Sequence, residues 1–279
     1  MLPECWVQIP SLKKMLTGTD KWAQAIHRSV LKRLIELAPD EARPYVIAEI
    51  SNLQSMVDST IIGGLPDQTI PEVDPILLTQ LRALVKVGGV RNDLFIKQKT
   101  ALAVRYATSG IYPDLMLLYR ENVARLTISS RADLLAYLAK QNEQEVLPLI
   151  EEALNGVPPE QEFNFLPELT GLYFSDGIDA LLRKRLESEA PQVASTTAYL
   201  LALHGPESDQ KVLEARLERW RKEWANRSVE AETNLQGTVE RELVYGLIHA
   251  KSWKLSPERV KELQQSCITK YCRQSFPAR

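Results

Sequence analysis

Apolar residues recur along the chain at i, i+3, i+4 and i+8, the spacing that lines up one face of an α-helix. Ala42, Tyr45, Val46 and Ile50 form one such set. Leu115, Leu118, Tyr119 and Val123 form a second, and Val146, Leu149, Ile150 and Leu154 a third. Ile178, Leu181, Leu182 and Leu186 form a fourth. The last two steps between starts are 31 and 32 residues, and the first, of 73, is about two such steps. A looser set, Leu213, Leu217, Trp220 and Trp224, follows 35 residues further on.

Each set is preceded by another helical stretch: Trp22–Ala38, Thr100–Gly110, Arg131–Gln141, Phe165–Phe174 and Ser195–His204. Between the members lie Pro39-Asp40, Ser109-Gly110, Gln141-Asn142, Ser175-Asp176-Gly177 and Gly205-Pro206, which are helix-stop and N-cap signals. A shared turn position at a fixed period predicts an all-α chain of stacked antiparallel helix pairs, about twelve or thirteen helices in number. Composition agrees. Leu occurs 40 times and Ala 24 times, against 34 for Val plus Ile, and there are only 12 Gly.

The stretch Leu138-Ala139-Lys140-Gln141-Asn142-Glu143-Gln144-Glu145-Val146-Leu147-Pro148-Leu149-Ile150 resembles the turn and second helix of a bacterial HEAT-like repeat. Leu37-Ala38-Pro39-Asp40-Glu41-Ala42-Arg43-Pro44-Tyr45-Val46 is similar, with Pro44 at the offset of Pro148. A proline in the first helical turn costs no hydrogen bond, and that is where both are expected. The other copies lack the proline and the Asp and Arg common in eukaryotic HEAT repeats, which leaves armadillo-like and tetratricopeptide-like stacking open. The resemblance covers roughly residues 20–225 and implies a right-handed α-solenoid. The organisation expected is a tail over 1–18, repeats over 19–227 and a C-terminal capping unit over 228–279. In that unit a helix over 229–250 is read from Leu235, Val239, Leu243, Leu247 and Ala250. Another over 257–271 is read from Val260, Leu263, Cys267 and Tyr271.

A loop over 54–74 interrupts the pattern. It carries Gly63, Gly64, Pro66, Asp67 and Pro71, and connections so long are often functional. Gly63, Gly64 and Asp67 are its candidate residues, set against the simpler reading of a tolerated insertion.

Catalytic signatures are sparse. His27, His204 and His249 stand in no metal-binding spacing, no Cys-x-x-Cys occurs, and Val87-Gly88-Gly89-Val90 is too short to cradle a phosphate. No catalytic residue, metal or cofactor is therefore assigned. Cys267 and Cys272 are five apart, on different faces of a continuous helix, so a bond between them needs a broken helix end. Free thiols are expected.

Charge changes the picture at one end. The chain is near neutral at −2, but residues 211–279 carry a net +5 and residues 1–210 a net −7. Arg216, Arg219, Lys222 and Arg227 cluster there beside Trp220 and Trp224, a candidate surface for an anionic partner. The competing reading is a solvated face, because Glu214, Glu218 and Glu223 dilute the charge. Trp220, Trp224 and Trp253 are expected to be buried. Tyr119, Tyr137, Tyr173 and Tyr199 recur at similar places and are read as packing residues whose hydroxyls reach the solvated edge.

The function expected from this architecture is a non-enzymatic scaffold that grips a protein or peptide on a curved helical face. The alternative is a HEAT-like nucleic-acid binder, in one form a DNA glycosylase, working through the basic C-terminal third. A third reading, a HEAT-like lyase acting on a chromophore-bearing partner, has no residue that selects it. No membrane-spanning stretch is read, because the longest uncharged stretch near the middle, Ala190 to Pro206, is too polar and too short, and no signal peptide is read, because Glu4, Pro10, Lys13 and Lys14 interrupt the start. A cytoplasmic protein is therefore expected.

Overall fold

The computed structural model describes residues 4–18, 21–52 and 69–276. Among them there are sixteen α-helices and no strand. The count exceeds twelve or thirteen because the N-terminal stretch is helical and the C-terminal region breaks into shorter pieces. The chain divides into two compact units, residues 1–141 and 142–279.

The first unit contains α1 (Glu4–Leu16), α2 (Lys21–Leu37), α3 (Pro39–Ser51), α4 (Asp74–Val87), α5 (Val90–Tyr106), α6 (Tyr112–Asn122) and α7 (Ile128–Gln141). Residues 1–18, expected as a tail, thus hold a helix, with Ile9 and Leu16 buried. Among chain neighbours, α1 packs on α2, α2 on α3, α4 on α5 and α6 on α7. Beyond these pairs, α3 packs on α4, α4 on α6 and α5 on α7, so α3, α4 and α6 form one row and α5 and α7 another. The sets read from the sequence face the core: Ala42, Val46, Ile50 and Leu115 are fully buried, each larger apolar side chain contributing about 1.5–3 kcal/mol.

Polar bonds tie one row together at the repeat spacing. Lys13 pairs with Glu41, Arg43 with Glu72 at 2.8 Å, and Arg82 with Asp114. Asp74, in the first turn of α4, accepts the backbone N–H of Thr108 at 2.9 Å at the turn that leads into α6.

The second unit contains α8 (Glu143–Asn155), α9 (Pro159–Leu172), α10 (Asp176–Arg185), α11 (Pro191–His204), α12 (Asp209–Trp224), α13 (Ser228–Thr233), α14 (Gln236–His249), α15 (Pro257–Gln265) and α16 (Lys270–Ser275). One row runs through α8, α10 and α12. Arg185 donates to Asn155 at 2.8 Å, Arg183 reaches Asp209 at 2.6 Å, and Arg216 donates to the Leu186 carbonyl at 3.2 Å. The other row runs through α9, α11, α14 and α16 by direct packing.

Four expectations need correction. Pro44 and Pro148 are each the sixth residue of their helix, not in its first turn. Their missing N–H groups leave the carbonyls of Asp40 and Gln144 without the usual partner. Both prolines are exposed, so water can supply one. The helix expected over 229–250 breaks at Asn234–Leu235, where Leu235 takes a left-handed φ of 60° and is exposed. The helix expected over 257–271 breaks between Gln265 and Lys270. That break brings Cys267 and Cys272 to a Cα separation of 5.5 Å, and their sulfurs are bonded. These two cysteines are therefore not free thiols, because the condition the sequence set for a bond, a broken helix end, is met.

Candidate functional site

Helices α9, α11 and α14 lie side by side in the second unit, and their outward stripes line one groove of about 800 Å³. Each contributes a pair of residues four apart, which a helix places on one face. They are Phe163 and Pro167 from α9, Ser195 and Tyr199 from α11, and Arg241 and Tyr245 from α14. Asn164, Thr196 and Glu242 fill the spaces between, and Ser275 of α16 closes one side. The opposite faces hold the core, with Leu166, Ala198, Leu201, Leu243 and Leu247 buried. Gly246 lets α14 approach α11 closely, since a Cβ there would meet the Ala202 Cβ at 3.0 Å.

Three aromatic rings stand exposed in this groove: Phe163 at 36%, Tyr199 at 42% and Tyr245 at 41%. Rings this open in a concavity are unusual for packing residues and suit contact with a ligand. Among the described residues lining the groove, the charged ones are Arg241 and Glu242, which bond each other at 2.8 Å. The Ser195 hydroxyl donates to the Pro191 carbonyl at 2.7 Å, so it is already engaged. The groove can offer aromatic faces, tyrosine hydroxyls and the Asn164 amide. No nucleophile–base pair is built among its lining residues.

The residues predicted from sequence lie elsewhere. Arg216 is mostly buried and its guanidinium reaches the Leu186 carbonyl at 3.2 Å and Glu187 at 3.6 Å; burial pushes its pKa down. Arg219 pairs with Glu187. Arg227 bonds Glu230 at 2.8 Å and lies 4.4 Å over the Trp224 ring. Lys222 is exposed. The structure thus places Arg216 and Arg219 together on one acid and gives Arg227 another. Gly63, Gly64 and Asp67 lie outside the described residues.

Trp220, Trp224 and Trp253 are buried as expected, and the Trp253 indole donates to the Leu247 carbonyl at 3.1 Å. The four tyrosines divide. Tyr119 and Tyr137 are buried, and the Tyr137 hydroxyl donates to the Thr108 carbonyl at 2.9 Å instead of reaching solvent. Tyr173 is half-buried and Tyr199 opens into the groove. Phe163 and Tyr245 were not singled out in the sequence. Their signal is an aromatic residue off the leucine stripe of its own helix.

One group of potential metal ligands occurs among the described residues: Glu240, Cys267 and Cys272, with ligand atoms within 4.8 Å of one another. Their capacity is already used. The sulfurs are bonded, and Glu240 accepts the N–H groups of Ile268 and Thr269 at 2.9 Å each and the Thr269 hydroxyl at 2.7 Å. Arg221 lies 3.5 Å from the same carboxylate. This buried knot anchors α16 beside the groove and is structural.

No protein-family model, curated protein or solved structure matches this chain.

Proposed function

We propose that the chain is a non-enzymatic scaffold that binds a protein or peptide segment in the groove formed by α9, α11 and α14. The observation that carries this reading is the trio of exposed rings, Phe163, Tyr199 and Tyr245, converging from three adjacent helices on one concavity. The occupant is an extended segment of low charge, because the charged groups among the described lining residues satisfy each other. Aromatic-lined grooves of this kind grip proline-rich or apolar extended peptides.

A right-handed stack of HEAT-like helix pairs is part of the proposal. The bonds along each row support it, since Arg43–Glu72, Arg82–Asp114, Glu143–Ser175 and Glu187–Arg219 link residues 29 to 32 apart, about one repeat. The pairing of Arg216, Arg219 and Arg227 with acids favours a protein partner over a nucleic acid, whose phosphates need uncommitted cations.

The test is selection of displayed random peptides on the immobilised full chain, alongside the double variant Tyr199→Ser/Tyr245→Ser. The wild type should enrich related, low-charge peptides, and the variant should bind them more than tenfold more weakly at unchanged thermal midpoint. Enrichment of the same peptides on both proteins would overturn the assignment of the groove, as would failure to enrich any.

A further inference from the structure

The turn between α4 and α5 has no place in the peptide groove and is built unlike the other turns. Gly88 and Gly89 have φ values of 63° and 79°, a backbone only glycine adopts readily. They project Val87 and Val90, which are 78% and 80% exposed. Leu94 follows Val90 on the same face of α5 and is about half exposed. The neighbouring turn after α6 adds exposed Val123. The two turns are in contact, since a Cβ at Gly88 would lie 3.2 Å from the Arg125 carbonyl oxygen.

Cations surround this apolar tip. Lys86, Arg91 and Arg125 are exposed, and none is bonded to any described residue. The nearest acids are differently disposed. The Asp93 carboxylate accepts the hydroxyls of Thr127 and Ser130 at 2.7 Å each, and Asp114 is paired with Arg82. Exposed Glu121 shares a cleft with Lys86 and Arg125, and Asp93 keeps its charge because its partners are neutral hydroxyls, so among the described residues three unpaired cations face two acids at the tip. The first turn of α5 has no side-chain cap, so its N–H groups add to the positive field.

We propose that this tip docks the protein on the surface of an anionic phospholipid bilayer. Val87 and Val90 enter the boundary between headgroups and acyl chains, and Lys86, Arg91 and Arg125 contact lipid phosphates. Charge complementarity selects an anionic surface. The exposure of the two valines on the turn selects a bilayer over a peptide, because both side chains are open to solvent outside the cleft that Lys86 and Arg125 line. The contact is peripheral, and no described helix is long and apolar enough to cross a membrane.

The test is co-sedimentation of the full chain with phosphatidylcholine vesicles, with and without phosphatidylglycerol. Binding should require phosphatidylglycerol and weaken as salt rises. Arg91→Ala/Arg125→Ala should lose about thirtyfold in vesicle affinity, about fivefold for each cation. Val87→Ser/Val90→Ser should lose about tenfold at unchanged charge. All four positions are exposed, so circular dichroism and thermal midpoint should match the wild type. Equal binding to neutral vesicles, no vesicle binding, or full binding by either variant would each overturn the proposal. Retention on an immobilised polyglutamate peptide without vesicle binding would reassign the tip to an acidic protein partner and overturn it too.

Discussion

Glu240 and Thr269, both fully buried, are joined by two hydrogen bonds: the carboxylate accepts the threonine backbone N–H at 2.9 Å and its hydroxyl at 2.7 Å. A buried charge is tolerated only when its oxygens are filled, and here the Ile268 N–H completes the set. Glu240→Ala would strand these donors without water. It should lower unfolding free energy by about 3 kcal/mol, and Glu240→Gln, which keeps the shape and one acceptor, by roughly half as much. Urea denaturation of both variants measures this. Equal losses would mean that packing, not the carboxylate, holds the knot.

The Cys267–Cys272 bond makes a chemical prediction. The sequence holds three cysteines, so unfolded protein that has never met a reductant should titrate one thiol per chain, and reduced protein three. Closing so short a loop constrains the unfolded chain modestly, so reduction should cost about 2 kcal/mol. Three thiols in material from an oxidising compartment would contradict the bond.

Asp209 predicts a pH dependence. It is fully buried beside Asp179, and Arg183 bridges the two carboxylates at 2.6 and 2.7 Å. Burial, followed by the hydrogen bond and charge of Asp179, pushes the Asp209 carboxyl up to about 7. The native state then keeps a proton that the unfolded state releases near pH ~4. Its contribution to stability is complete below that value and is lost as pH rises to about 7, a change on the order of 4 kcal/mol. Asp209→Asn should flatten that part of the stability profile. A variant profile parallel to the wild type would show that Asp209 ionises normally.

Lys99 is also fully buried, donating to the carbonyls of Ile50 and Asn52 at 3.3 and 3.1 Å near the end of α3. Burial pushes its pKa down. The Ile50 carbonyl also accepts from Gln80 at 3.0 Å, so it keeps a partner if the lysine is removed. Lys99→Met should change stability by less than about 1 kcal/mol, while Lys99→Ala, which empties the space, should cost roughly 2–4 kcal/mol. A large loss in the methionine variant would show that the ammonium itself holds α3.

The helical character was legible because apolar spacing is a local property: Val146, Ile150, Ile178 and Leu182 reach the core as their spacing predicts. The breaks at Leu235 and beyond Gln265 were hidden because the apolar stripe runs on through both, and no proline marks either. Tyr199 and Tyr137 looked alike because both recur at one place in the period. Whether such a ring meets a neighbour or a groove depends on helices distant in sequence. The buried acids were invisible for the same reason, since Asp209 meets Arg183 and Glu240 meets Thr269 only after folding.

The bonds that tie the rows have a consequence for how the chain acquires its structure. Each side-chain bond named above closes a segment of at most 49 residues, in a chain of 279. Loop-closure entropy for such segments is small and nearly uniform, and local contacts favour rapid folding. Assembly can then start at any helix pair and spread to its neighbours. During synthesis, the pairs around Asp74 and Thr108 can lock before residues 142–279 have been made, and the Cys267–Cys272 bond forms only after them.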